Sequence, residues 1–396
     1  MHPGITTPHH TTPARVNFID LLRGWAVVVM IETHVMNATL SQTVASGWLF
    51  PYITFVNGLV APSFLFASGL AFAVTTRRKL ADYLSPGPPL LRQFGRLSVI
   101  LFIGYMLHVP VFSLGKILSG DIPEHWQSFF QVDILQCIAV TLLGLQTLLL
   151  LLRSERLLYG AALLLALAVV AFTPWAWSID FNNILPLWLA AYMNGIHYSL
   201  FPLFPWAAFL LAGAVAGYAY LRTGDGMQSG REQESVQKFV RTLPWVGGSA
   251  ILFSMIIAPF ADVLFPPHNY WRSGPSFFFL RFGLVVLLCA LLVYYDRIRT
   301  PSRFPVITMF GKESLLVYVL HLLIIYGNFG PFNLRRAIDH SFGYAAGLLT
   351  TFLLLLAMFA AAFFWNRTKR ESPRLQRVLS IATLLLVILM FIFGEG

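Results

Sequence analysis

Eleven stretches of about 20 mainly apolar residues follow one another along the chain, each the length that a bilayer's hydrocarbon core demands of a spanning helix. They lie near 16–37, 49–76, 94–113, 131–152, 156–177, 201–221, 242–262, 276–295, 305–327, 343–365 and 378–394. The pattern predicts an all-α polytopic membrane protein, a bundle of eleven transmembrane helices. The opening "MHPGITTPHHTTPA" is polar and rich in Pro and Thr, which predicts a disordered tail at 1–14 and a single transmembrane domain over 15–396. No basic segment leads into a short apolar core with a small-residue cleavage site, so the first span reads as an uncleaved anchor. The largest polar loop, at 222–241, is too short for a domain and divides six helices from five. The two halves show no internal repeat, which weighs against a transporter built from paired hydropathy patterns.

Composition sharpens this picture. The chain is 57% hydrophobic and 11% charged, and its formal charge is +10. The Lys and Arg residues are scattered through short loops between apolar runs, so the positive charge reads as membrane topology and not as a nucleic-acid surface. With the N-terminus in the cytoplasm, all basic residues except Lys116, Arg272, Arg281, Arg335 and Arg336 fall on the inner side. That alternation predicts a cytoplasmic N-terminus and a periplasmic C-terminus. Cys137 and Cys289 both sit inside apolar runs and read as packing residues.

Ionisable residues within a membrane are costly and tend to face a bundle interior or cavity. His34 lies about 27 Å beyond Val16 at helical rise, near the outer end of the first span. His108 in "GYMLHVP" ends the third span, and Asp133 and Gln136 in "QVDILQCIAV" open the fourth from the same side. Tyr318 and His321 in "SLLVYVLH" share a helix face with Ser314. Asn194 and His197 occupy an outer segment between the fifth and sixth spans. Independent helices thus bring His34, Asp133 and His321 as catalytic candidates, with His108, Gln136, Asn194 and Tyr318 as substrate-binding candidates, to one depth. The histidines at span ends also read as ordinary interfacial residues. Glu32 is two residues from His34 and points away from it on a helix, so the carboxylate orienting His34 is sought elsewhere, with Asp133 a candidate.

The inner side carries a different set. Asp20 and Arg23 are spaced for a structural salt bridge, and Arg92 and Arg96 are spaced to meet two phosphate oxygens from one helix face. Lys312 follows a glycine at an expected helix start, where free backbone N–H groups favour anions. Arg23, Arg92, Arg96 and Lys312 are therefore candidate anion-binding residues, and positive-inside topology accounts for them equally well. No metal site is expected.

Several segments, in order, resemble the heparan-α-glucosaminide N-acetyltransferase-like bacterial membrane proteins, within the wider membrane-bound acyltransferase superfamily. They are "DLLRG" at 20–24, "LVAPSFLFASGLAFA" at 59–73, "DILQCIA" at 133–139, "LFPWAAFLLAGAVAGY" at 203–218 and "FGKESLLVYVLHLLII" at 310–325. The heparan enzyme's functional His lies in the loop after the first helix, where this chain has "VMNATLSQTVASGW" and no His. His34 instead resembles the His that ends the first helix in the wider superfamily.

The resemblance implies an enzyme of the bacterial cytoplasmic membrane that takes acetyl-CoA from the cytoplasm and delivers acetyl to a sugar or glycan on the periplasmic side. It implies CoA phosphates at Arg23, Arg92, Arg96 and Lys312, and His34 as general base. The alternative from another class is a transporter or flippase that uses the same polar groups as a path without acyl transfer.

Overall fold

The computed structural model describes residues 16–119, 126–223, 229–298, 305–327 and 333–394. The expected tail at 1–14 lies outside the described residues. Every long element among them is a helix, and β pairing is limited to a single parallel bridge between Leu40 and Phe342. In chain order the principal helices are α1 (Asn17–Thr39), α2 (Phe50–Asn57), α3 (Val60–Arg78), α4 (Pro88–Met106) and α5 (Ile134–Leu152). They continue with α6 (Glu155–Ser178), α7 (Leu203–Thr223), α8 (Ser229–Ile257), α9 (Pro275–Ile298), α10 (Pro305–Lys312) and α11 (Ser314–Tyr326), and end with α12 (Tyr344–Glu371) and α13 (Pro373–Phe393).

Among the described residues, eight helical segments are long and apolar enough to cross a membrane, α2 and α3 counting together as Phe50–Arg78. A ninth is added when α10 and α11, bent by 84° at a short break, are taken as one broken span. All eleven expected stretches are helical, but α1 and α4 do not reach the apolarity of the others. Asp20, Arg23 and Glu32 dilute α1, and Arg92 and Arg96 dilute α4.

Packing explains why α1 tolerates its charges. It lies inside the bundle against α3, α9, α10, α11 and α12, with 14 of its residues buried, so much of its surface never meets lipid. The opposite case is α13, strongly apolar and with no buried residue, packed at the edge mainly against α12 and the short helix Leu114–Leu118.

Without a hydrophobic driving force between helices in lipid, close backbone approach carries much of the packing. A Cβ on Gly69 of α3 would stand 2.0 Å from the Leu210 carbonyl oxygen of α7, and one on Gly213 of α7 would stand 2.1 Å from the Phe66 carbonyl oxygen. The same device joins α1 to α10: a Cβ on Gly24 would fall 1.9 Å from the Ile307 oxygen, and one on Gly311 1.9 Å from the Asp20 oxygen.

Three expectations change in detail. The stretch at 305–327 is two helices, not one. Gly311 is pinned against α1 while Glu313 at the break is buried and bonded to α12, its carboxylate accepting from Lys369 Nζ at 2.6 Å and Asn366 Nδ2 at 2.9 Å. The polar loop at 222–241 is largely helical, since α8 begins at Ser229 with residues of good helix propensity before its apolar part. The third span starts and ends earlier than its apolar run, because Pro88 and Pro89 open α4 and the chain leaves the helix after Met106, ahead of His108 and Pro110.

Candidate active site

The site forms where α1 ends, α5 begins and α11 passes between them. Asp133 is the N-cap of α5, and its Oδ1 accepts from the Ile134 amide at 2.7 Å. Its second oxygen, Oδ2, lies 3.2 Å from His108 Nε2 and accepts from the Tyr318 hydroxyl at 3.4 Å. One carboxylate thus ties together the turn after α4, the start of α5 and the middle of α11. It orients His108 and Tyr318, and it lines the same cavity as His34 without hydrogen bonding to it.

His34 packs against a second histidine. Its ring centroid lies 5.3 Å from that of His321, at 47°, and 5.7 Å from the Tyr326 ring, which meets it edge-on. The Tyr326 hydroxyl donates to the His34 carbonyl oxygen at 3.1 Å and so ties the end of α11 to α1. His321 is fully buried, and its Nδ1 lies 2.8 Å from the Val317 carbonyl oxygen one turn back. A carbonyl only accepts, so Nδ1 carries the proton and Nε2 presents a lone pair. That Nε2 is buried without a hydrogen-bond partner among the described residues.

Two cavity lobes meet at His34 and Asp133. The larger, about 570 Å³, runs outward between the turn after α4 and the end of α11, past His108, Phe112 and Tyr326 to Arg335 in the short helix Leu334–Ile338. The smaller, about 370 Å³, reaches deeper into the bundle toward Met30, Phe64 and Tyr318. His34, Asn37, Asp133 and Leu200 line both lobes. Glu32 faces elsewhere, into an open apolar groove that it lines with Val28, Tyr52, Asn57 and Leu355.

Of the residues singled out from sequence, His34, Asp133, His108, Tyr318 and His321 come together. Gln136 is buried one turn into α5 against Gly104, with Nε2 donating to the Gln131 carbonyl oxygen at 3.3 Å, and it lines neither lobe. Asn194 is spent on local structure. Its Nδ2 donates to the Ala176 and Ile179 carbonyl oxygens, both at 2.7 Å, and its Oδ1 accepts from the Ile196 amide at 3.1 Å. His197 pairs at 2.6 Å with Asp180 near the surface, where its hydrogen bond holds the Asp180 carboxyl below its ordinary range.

The four candidate cofactor-binding cations belong to two groups of helices. Arg92 and Arg96 are exposed on α4, which packs mainly on α5 and Leu80–Leu84, whereas Arg23 and Lys312 sit where α1 crosses α10. Lys312 is the last residue of α10, not the first of a helix; the new helix begins two residues later at Ser314.

Arg281 is the functional candidate that the sequence reading did not assign. It enters the smaller lobe from α9, as do Thr33 and Thr54 from α1 and α2 and Trp206 from α7. The signal was visible: Arg281 interrupts the apolar run "SFFFLRFGLVV" and is one of the few basic residues on the side that topology assigns to the outside. Trp206 is buried in this lobe, while Trp175 and Trp188 are exposed and Trp177 donates its Nε1–H to the Phe204 carbonyl oxygen at 2.9 Å.

Fold and site together define a multi-pass helical membrane protein with a cluster of ionisable side chains around a cavity in its bundle. Residues 15–259 match the family of the heparan-alpha-glucosaminide N-acetyltransferase catalytic domain, more than half of the chain, and the chain belongs to that family, one of membrane acetyltransferases. His34, His108 and Asp133 lie within the matched segment, and Arg281, Tyr318 and His321 lie beyond it. No match was found among curated proteins.

Proposed function

We propose that the protein is a transmembrane acetyltransferase of the bacterial cytoplasmic membrane, with eleven spans, a cytoplasmic N-terminus and a periplasmic C-terminus. It takes acetyl from acetyl-CoA on the cytoplasmic side and transfers it to a sugar or glycan acceptor on the other. The observation that carries this reading is the meeting of two lobes at one histidine and one carboxylate. A two-substrate transfer needs a base within reach of both reactants, and neither lobe alone supplies that arrangement.

In this reading His34 is the general base. Its neutral imidazole accepts a proton from the acceptor hydroxyl or amine as that atom attacks the thioester carbonyl carbon. The new C–O or C–N bond forms, the C–S bond breaks, and the leaving CoA thiolate takes the proton back from the His34 imidazolium to become the thiol. The His321 ring lies 5.3 Å from that of His34, and in this scheme its unpartnered Nε2 turns to accept the His34 ring N–H during turnover, fixing the tautomer and supporting the imidazolium. Tyr318, held by Asp133, supplies a hydroxyl facing the smaller lobe, and His108, held by the same carboxylate, faces the larger one. Arg23 and Lys312 near the α1–α10 crossing, with Arg92 and Arg96 on α4, are the cations that would meet the CoA phosphates. Gln136 and Asn194, which line neither lobe, do not meet substrate in this scheme.

The test is to incubate purified protein with acetyl-labelled CoA and a glycan and lipid extract, then identify the labelled product. A labelled sugar product supports the reading. Label that remains on CoA or appears only as free acetate contradicts it.

A further inference from the structure

Glu32 carries a charge on the flank of the bundle that the acetyl-transfer scheme leaves unused. A carboxylate within a membrane span is costly and marks a functional surface by default. It lines an open groove of about 500 Å³ between α1, α2 and α12. Each helix contributes one stripe: Val28 and Glu32 are a turn apart on α1, Ile53 and Asn57 on α2, and Thr351 and Leu355 on α12. No Lys, Arg or His among the described residues forms an ion pair with Glu32. The Thr351 hydroxyl is spent on the Gly347 carbonyl oxygen at 2.9 Å. Glu32 and Asn57 are thus the polar points that a mainly apolar wall offers to a ligand.

The groove adjoins the smaller lobe of the candidate active site. Asn57 lines both spaces, and α1 and α2 form the partition between them: Glu32 and Val56 face the groove, while Thr33, His34 and Thr54 face the lobe. That partition is thin, since no residue of α2 is buried. The two spaces also differ in chemistry. The lobe has hydroxyl and amide groups on Thr33, Asn37 and Thr54 and a ring face on Trp206, whereas the groove is walled by aliphatic side chains. Their volumes, about 370 and about 500 Å³, each fall in the range of small-molecule sites, ~300–1,000 Å³. A polar pocket joined at Asn57 to an apolar groove on the lipid-facing flank fits a molecule with a sugar head and a hydrocarbon tail.

We propose that the groove between α1, α2 and α12 seats the apolar chain of a glycolipid, whose sugar reaches the smaller lobe past Asn57. Glu32 accepts hydroxyl groups where chain and sugar join, a role for which a carboxylate has spare lone pairs. The acceptor then arrives sideways from the bilayer and not from water. This rests on the acetyl-transfer reading only for calling the glycolipid an acceptor.

The experiment assays the full-length protein in nanodiscs with acetyl-labelled CoA and either glucosamine or octyl glucosaminide, which offer the same hydroxyl and amine groups. Wild type should use the octyl glycoside at least tenfold better in kcat/KM. Partition into the nanodisc is the same for every variant, so the change of this ratio on substitution reads the groove itself. Val56→Trp fills the groove without touching the lobe and should cut the ratio fivefold or more, with glucosamine turnover and CoA binding unchanged. Leu355→Trp blocks the opposite wall and serves where Val56→Trp does not fold. Glu32→Gln, which keeps the shape and removes the charge, should lower the ratio to an intermediate value. A second readout needs no turnover: octyl glucosaminide with a diazirine on its chain is photo-crosslinked and the adducts mapped. They should fall on 28–32, 52–57 and 351–355, displaced by unlabelled octyl glucosaminide and not by octanol.

Equal use of the two acceptors by wild type, or an unchanged ratio in the folded Trp variants, overturns the proposal. So does equal displacement by octanol, which would reduce the groove to ordinary lipid contact. Mapped, sugar-dependent adducts without transfer to any sugar would sink the acetyltransferase reading and leave the glycolipid site standing.

Discussion

His321 holds its ring 5.3 Å from that of His34 while its own Nδ1 is anchored to the Val317 carbonyl oxygen at 2.8 Å. The backbone bond fixes which nitrogen carries the proton, and the unpartnered Nε2 is left as a buried acceptor beside His34. Replacing His321 with Phe keeps a flat ring in the site and removes that acceptor. Turnover should fall about 10–100-fold, within the range of acid–base contributions, with the unfolding midpoint little changed. A variant that unfolds early and regains full specific activity when stabilised would show that His321 is packing alone.

Asp133 has two separable duties, capping α5 and orienting His108 and Tyr318. Asn retains cap strength, so Asp133→Asn should fold with near-normal stability while losing activity through the lost charge. Asp133→Ala loses the cap as well and should be less stable by about 1 kcal/mol. Comparing unfolding midpoints and turnover of the two variants separates these duties.

The α1–α10 crossing depends on bare backbone at Gly311, where an added methyl would meet the Asp20 carbonyl oxygen at 1.9 Å. Gly311→Ala should destabilise by about 1–3 kcal/mol or more, the cost of overpacking a close contact. Gly95 on α4 has open space at its Cβ position, so Gly95→Ala should be neutral or stabilise by about 0.5–1 kcal/mol. Thermal unfolding of the pair gives opposite signs if the crossing is as tight as described.

The Asp180–His197 pair, 2.6 Å apart, lies away from both lobes and sets a pH dependence of its own. The hydrogen bond from His197 lowers the folded-state pKa of Asp180, so the unfolded state binds protons more readily. Its stabilisation is therefore present above the ordinary Asp value of about 3.9 and is lost as pH falls through the lower folded value. Asp180→Asn should unfold more readily than wild type at neutral pH, the two should converge in acid, and acetyl transfer should be unaffected. Unfolding midpoints across pH read the difference.

Much of this arrangement was legible in the sequence. Apolar runs located the helices because membrane helices must satisfy their backbone internally and present apolar side chains to lipid. The level shared by His34, His108, Asp133, Tyr318 and His321 followed from helical rise and the alternating direction of successive spans across the membrane. Three kinds of information were not in that pattern. Apolarity cannot show the 84° break at Glu313, because a broken span reads the same as a straight one until Gly311 and Glu313 are seen pinned to α1 and α12. Spacing along one chain cannot tell Asn194, whose amide is consumed by backbone groups, from an amide facing a cavity. Arg281 was counted as an exception to topology, and only its place in the smaller lobe beside an unbranched Gly58 gives it a chemical meaning.

The central claim is transfer across the membrane through His34. The most direct measurement uses proteoliposomes of defined orientation, with acetyl-labelled CoA at the N-terminal face and glycan acceptor confined to the opposite side. Wild type should label the confined acceptor. His34→Ala should fold, bind CoA and label none. Normal labelling by His34→Ala, or wild-type label found only on acceptor sharing the compartment with CoA, would contradict the account.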